Sequence, residues 1–137
     1  MRIIKFRGKS KSNGHWEYGD LLHDNVGGCY IYPIGVENLY KDNEVIPETV
    51  GQFTGLLDKN GNEVYEGDIL KVRGTQEKIE VRFVRGVFAF LWNGKLDDEA
   101  PINAPTQEWA EVIGNIHDNP TFVLNNVLKE YKNNKIK

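Results

Sequence analysis

A chain of 137 residues with 39% hydrophobic and 27% charged content can bury a core in one domain or in two very small ones. Its net charge of −3 argues against nucleic-acid binding through overall basicity and leaves only a local basic patch open. A single cysteine excludes an internal disulfide and a cysteine-only zinc site, and no apolar run approaches the ~20 residues that span a bilayer. The apolar part of Met1–Phe6 is too short for a signal peptide, so a cytoplasmic protein is expected.

Ile3 to Arg7 alternates apolar and basic residues and reads as a first strand. A polar loop, Gly8 to Gly14, ends in an Asn-Gly turn, and Trp16-Glu17-Tyr18 resumes the alternation before Gly19-Asp20-Leu21-Leu22. Gly28-Cys29-Tyr30-Ile31-Tyr32 carries aromatics at alternate positions, with Cys29 read as a small buried hydrophobe. Pro33 to Pro47 reads as an irregular connector, followed by a strand over Glu48–Thr54. Lys78 to Val84 is a clean alternation with Ile79, Val81 and Phe83 inward and Lys78, Glu80 and Arg82 outward. Arg85-Gly86 turns it into the aromatic strand Val87–Trp92. Asn93 to Glu108 is a second connector with almost no strand pattern, and Trp109–Ile116 is the last strand. After Asn119 as a cap and Pro120 at a first helical position, Val123, Leu124, Val127, Leu128 and Tyr131 share one face of an amphipathic C-terminal helix.

The densest turn chemistry lies between Phe53 and Val72. Asn60-Gly61 suits a two-residue type I′ hairpin turn, with Asp58 beginning it, and Glu66-Gly67-Asp68 forms a second turn before the strand Ile69–Val72. The run Pro47–Leu56, continuing through Asp58-Lys59-Asn60-Gly61 to Tyr65-Glu66-Gly67-Asp68-Ile69, resembles the YopX family, as do Ile4–Arg7 and Glu111–Ile116 with Asn119-Pro120. Phe53 and His117 stand where the family commonly has Tyr. The resemblance implies a bacteriophage or prophage protein with an all-β fold, and it carries over no catalytic residue or ligand.

The expected fold is therefore all-β: short antiparallel strands in a barrel or sandwich-like assembly over residues 1–120, with a helical tail over 121–137. Asn13-Gly14 and Gly19-Asp20 echo Asn60-Gly61 and Gly67-Asp68 at offsets of about 48 residues. A pseudo-repeat of residues 1–46 and 47–120, forming two similar sub-barrels, explains this; so does the convergence of unrelated turns on the same residues.

Metal-capable His15, Asp20, His23 and Cys29 lack the tight ligand spacing of a metal site, and Asp58, Glu66 and Asp68 read more simply as turn residues than as a hydrolytic carboxylate pair. There is no phosphate loop and no nucleophile elbow. No catalytic residue, metal or cofactor is assigned. A non-catalytic module that binds an unknown host or phage protein is the favoured reading. The tail residues Val123, Leu124, Val127, Leu128 and Tyr131 serve as an oligomer or partner contact, and no membrane is involved. A nucleic-acid-binding surface built on Trp16, Arg73, Lys78, Arg82 and Arg85 is the alternative, and a carboxylate-dependent hydrolase is a further one.

Overall fold

The computed structural model describes residues 1–35, 42–92, 95–96 and 106–120. The chain forms two compact units, Met1–Gly55 and Leu56–Lys137. In the first, β1 (Phe6–Lys9), β2 (Trp16–His23), β3 (Cys29–Tyr32), β4 (Glu44–Val45) and β5 (Gly51–Leu57) lie in the antiparallel order β4-β3-β2-β1-β5. A single 3-10 turn, Pro47–Thr49, precedes β5. Alternation puts Cys29, Ile31 and Val45 on one face, where Phe6, Leu21 and Val50 pack against them. The opposite face of the same pleat carries Tyr18, Asp20 and Leu22, all exposed.

The connector Pro33–Pro47 thus contains a strand, β4. Two residues are too few for a periodic signal, and Val45 is recruited by pairing with Cys29 rather than by pattern. β4 also reaches back to the end of β1. Ser10 and Val45 form an isolated bridge, the Ile46 N–H donates to the Lys9 carbonyl (2.8 Å) and the Lys11 N–H to the Glu44 carbonyl (3.0 Å). This contact is a bridge and not a ladder, and among the described residues neither sheet closes into a barrel.

β5 runs on into the second unit and pairs there with β6 (Glu63–Tyr65). Next come β7 (Asp68–Val72), β8 (Lys78–Val84), β9 (Val87–Trp92), β10 (Lys95–Leu96), one helical turn α1 (Thr106–Trp109) and β11 (Ala110–Asn115). The last five strands form an antiparallel sheet in the order β10-β9-β8-β7-β11. Its inner face collects Leu70, Ile79, Val81, Phe90 and Ala110, joined by Val64 from β6. Leu56, Trp92, Trp109 and Val112 pack against this cluster, and the Trp109 ring meets Phe90 edge-on at 5.3 Å. Each fully buried aliphatic here contributes roughly 1.5–3 kcal/mol. All-β architecture is thus observed; the expected last strand begins at Ala110, because α1 takes up Trp109.

Three local expectations are corrected. Asn60-Gly61 is not a type I′ turn, since Arg85 is the only described non-glycine residue with positive φ. The loop has three residues: Asp58 N–H donates to the Asn62 carbonyl (2.8 Å), Gly61 N–H to the Asp58 carbonyl (3.1 Å), and Gly61 alone takes the left-handed conformation (φ 82°). This is a type I turn followed by a left-handed glycine, the usual three-residue hairpin solution. The type I′ turn falls instead at Arg85-Gly86, with φ of 53° and 81°. On β8, finally, Glu80 is buried (5% exposed) and Phe83 is half in solvent (51%), the reverse of what alternation predicts.

The amphipathic tail, with Val123, Leu124, Val127, Leu128 and Tyr131, lies outside the described residues. Within them, the Asn119 side chain turns backward: its Oδ1 accepts the Asn115 N–H at 3.1 Å.

Candidate functional site

The recurring loop residues are occupied in holding the fold. Asp58 is buried (1% exposed), and both its oxygens accept hydrogen bonds. Oδ1 takes the N–H groups of Asn60 (2.9 Å) and Asn62 (2.8 Å); Oδ2 takes the Val112 N–H (2.9 Å) and the Asn62 side-chain amide (3.3 Å). Burial pushes this carboxyl up, but the bonds from Val112, Asn62 and Asn60 outweigh it and hold it below the ordinary aspartate value. Beside it, the Lys59 N–H donates to the Ala110 carbonyl (2.9 Å), and the Thr106 hydroxyl donates to the Leu57 carbonyl (2.7 Å). One carboxylate therefore ties the hairpin loop to β11. Asp68 acts similarly at the next turn, where its Oδ2 accepts the Tyr65 N–H (2.7 Å). The Gly67 N–H donates to the Val81 carbonyl (2.7 Å) and the Ile116 N–H to the Gly67 carbonyl (2.9 Å).

The block Gly114–Pro120 has the same character. Asn115 Oδ1 accepts the N–H groups of His117 (3.0 Å) and Asp118 (2.9 Å), while its amide donates to Asp118 Oδ2 (3.0 Å). A Cβ at Gly114 would overlap the Asn119 side-chain amide, so a larger residue there would displace Asn119 from its bond to the Asn115 N–H. These side chains close loops and leave little carboxylate or amide capacity for chemistry on a substrate.

Of the metal-capable residues of the first unit, His23 and Cys29 face each other across β2 and β3. His15, Asp20 and His23 are exposed, whereas Cys29 is free and buried beside Ile31 and Val45. Among the described residues no three His, Cys, Asp or Glu side chains gather where they could hold a metal ion. Asp24 closes the β2–β3 loop: it accepts the N–H groups of Val26 (3.0 Å) and Gly28 (2.6 Å) and the Tyr30 hydroxyl (2.9 Å). Those backbone bonds, Val26 first, lower its carboxyl, and the bond to Asp24 raises the Tyr30 hydroxyl.

The five basic and aromatic residues singled out from the sequence are divided between the two units. Trp16 is half-buried in the first unit, where the Arg7 guanidinium lies 4.7 Å from its ring centre and the Lys9 ammonium 5.5 Å. Arg7 is only 6% exposed, so this stack stiffens β1 against β2 and is largely withdrawn from solvent. The other four belong to the second unit. Arg73 sits in the β7–β8 turn, with its guanidinium 3.4 Å from the Glu108 carbonyl, and Lys78 is exposed beside Lys71 at the start of β8. Arg82 and Arg85 are exposed at the far end of the same strand.

At that far end β8 and β9 outrun β7. β7 pairs with β8 only as far as Glu80, yet β8 and β9 continue through Arg82–Ala89, Phe83–Phe88 and Val84–Val87. The ribbon overshoots its neighbour by three cross-strand pairs, about 10 Å. Phe83 and Phe88 share one face and meet edge-on at 5.1 Å. The opposite face carries Arg82, ion-paired through Nε with the buried Glu80, and Val87, which is 59% exposed. At the tip Arg85 adopts a left-handed conformation that Asn, Asp or Gly adopts more readily. Phe83 and Phe88 were not singled out from the sequence as a pair beyond the end of the covering strand. The signal was register: a two-residue turn at 85–86 and a five-residue β7 leave the last three pairs without a neighbour.

The features assembled so far define an all-β protein whose characteristic loop residues are scaffold, bearing a projecting hairpin arm. The chain belongs to the YopX protein family, whose model matches residues 5–123. No curated protein matches it. Among solved structures it is similar to protein EF1440 from Enterococcus faecalis, at 25% identity and a TM-score of 0.58, over 90% of this chain and 99% of that one.

Proposed function

We propose that the protein is a non-catalytic, macromolecule-binding module of a phage or prophage, acting in the bacterial cytoplasm through the β8–β9 arm. The observation that carries this reading is the edge-on Phe83–Phe88 pair, Phe83 exposed and Phe88 half-buried, on a ribbon that outruns its sheet, beside an arginine in a left-handed turn. Aromatic and arginine side chains are enriched at protein-binding surfaces, and exposed aromatics lower solubility when they serve no partner. The phage setting rests on the family resemblance, and the non-catalytic character on the structural engagement of Asp58 and Asp68.

Co-purification from lysogenic host cells tests the reading. Tagged wild-type protein should retain a partner that the doubly substituted protein, Phe83→Ser with Phe88→Ser, loses while keeping its circular dichroism. Identical partner sets for the two proteins would exclude the arm as the binding surface.

A further inference from the structure

We infer that the arm binds by strand addition: an extended, acidic and apolar segment of a partner protein pairs along the outer edge of β8 at Phe83. The inference rests on the binding-module reading above and names the partner's chemistry. It follows from the direction of the backbone groups. In an antiparallel strand the N–H and C=O of one residue point to the same side, and successive residues alternate sides. The Val81 carbonyl points away from β9, because it accepts the Gly67 N–H. Phe83, two residues on, directs its N–H and C=O to that same outer side. Among the described residues β7 has stopped pairing by then, its last partner on β8 being Glu80. Arg82 and Val84 point the other way, toward Ala89 and Val87 of β9. The outer edge at Phe83 thus offers one donor and one acceptor in the geometry that an added strand uses.

Side chains along this edge specify the occupant. A residue placed opposite Phe83 lands on the face already holding the Phe83–Phe88 pair, so an aromatic or branched aliphatic residue fits there. Its neighbour opposite Arg82 lands on the other face, beside a guanidinium that Glu80 engages through Nε and whose terminal amino groups carry further donors. An acidic residue fits that place, and Arg85 at the tip adds a second positive charge. The same charges argue against two other occupants. A second copy paired edge to edge about Phe83 would set Arg82 opposite Val84 and Arg85 opposite Val81 of the other copy, so neither arginine would gain an acid directly across from it, and Arg82 would keep only its own Glu80. The chain's own segment 121–137 contains Lys129, Lys132, Lys135 and Lys137 against Glu130, and like charges repel.

Fluorescence anisotropy on the full chain tests this with a labelled eight-residue peptide of alternating Glu with Phe or Val. Controls are a scrambled peptide of the same composition, a version with Lys for Glu, and a labelled twelve-residue oligo(dT). Amide exchange at Phe83 is followed in parallel. The alternating acidic peptide should bind best and should slow exchange of the Phe83 amide. Phe83→Pro removes the outward N–H while sparing the bonds to β9, a position where an edge strand tolerates proline. It should weaken binding about tenfold or more, the loss expected for a backbone bond together with an aromatic contact. Arg85→Asp keeps a residue suited to the left-handed turn and reverses the charge. It should hold or raise the melting temperature while weakening the acidic peptide and strengthening the Lys version.

Binding without protection of the Phe83 amide, or binding that survives Phe83→Pro, overturns strand addition. Oligo(dT) binding that depends on Phe83 and Arg85, with no peptide binding, overturns the protein partner while leaving the arm as a binding surface. Should no probe bind, and should arm variants keep every host partner, both this inference and the reading beneath it fall.

Discussion

Two loops in this molecule are closed by an aspartate in nearly the same way, with very different consequences. Asp24 gathers the backbone N–H groups of Val26 and Gly28 and a tyrosine hydroxyl, all within six residues, and it is exposed. Asp58 gathers Asn60 and Asn62 and then one more partner, the Val112 N–H, 54 residues away. The local chemistry is shared; the long-range bond and the burial are not. Water competes for the oxygens of Asp24 and can replace its partners. At Asp58 a lost carboxylate strands several buried donors at once, and the penalty for an unmade buried hydrogen bond exceeds the gain from a made one. A turn residue becomes an architectural residue when its spare lone pair reaches another strand.

The largest test of this contrast is Asp58→Ala, which should destabilise the protein by roughly 3–5 kcal/mol in urea unfolding, since it removes a charged acceptor from buried N–H groups. A loss below ~1 kcal/mol would reduce Asp58 to the status of Asp24. Gly61→Val comes next. There is open space around a Cβ at Gly61, so its cost is backbone strain alone, roughly 1–2 kcal/mol read as a lower melting temperature.

Acid sharpens the comparison further. A carboxylate held below its unfolded value of about 3.9 stabilises fully above that pH, and the contribution disappears as pH falls through the folded value. The wild-type protein should therefore lose stability below about pH 4, and Asp58→Asn should flatten that limb more than Asp24→Asn does. Equal flattening by the two would mean that burial at Asp58 adds nothing. Arg85→Asn should raise stability by about 0.5–1 kcal/mol, as a residue better suited to a left-handed turn. The smallest effect is expected for Asp24→Ala: faster amide exchange at Val26 and Gly28 with an unchanged global unfolding midpoint.

The same contrast explains what the sequence disclosed. Alternation revealed β8, runs of β-favouring and aromatic residues revealed β7 and β9, and Gly-Asp and Asn-Gly pairs located turns. The type of turn was not legible. Asn60-Gly61 has the stronger type I′ signature, yet Asp58 captures the Asn60 and Asn62 N–H groups and selects a three-residue loop; the weaker pair Arg85-Gly86 takes the type I′ form. A side-chain bond thus overrode backbone preference. Alternation also misplaced Phe83 and Glu80, because it reports which face a residue occupies and not where the covering layer ends. β4 was invisible for a simpler reason, since two residues have no period. The cations proposed as one surface were legible as exposed charges at Lys78, Arg82 and Arg85. That Trp16 lies beside Arg7 and Lys9 depends on the pairing of β1 with β2, which composition does not specify.

The bond from Val112 to Asp58 also sets a timetable during synthesis. Asp58 leaves the ribosome with its hairpin already able to form, since Asn60 and Asn62 follow within four residues. Its last partner is made only after 54 more residues, which at ~5–20 residues per second is a wait of roughly 3–11 s. The Leu57 carbonyl waits almost as long for the Thr106 hydroxyl, 49 residues on. Until then one oxygen of Asp58 lacks its β11 partner, so this bond joins the hairpin loop to the sheet only when β11 arrives.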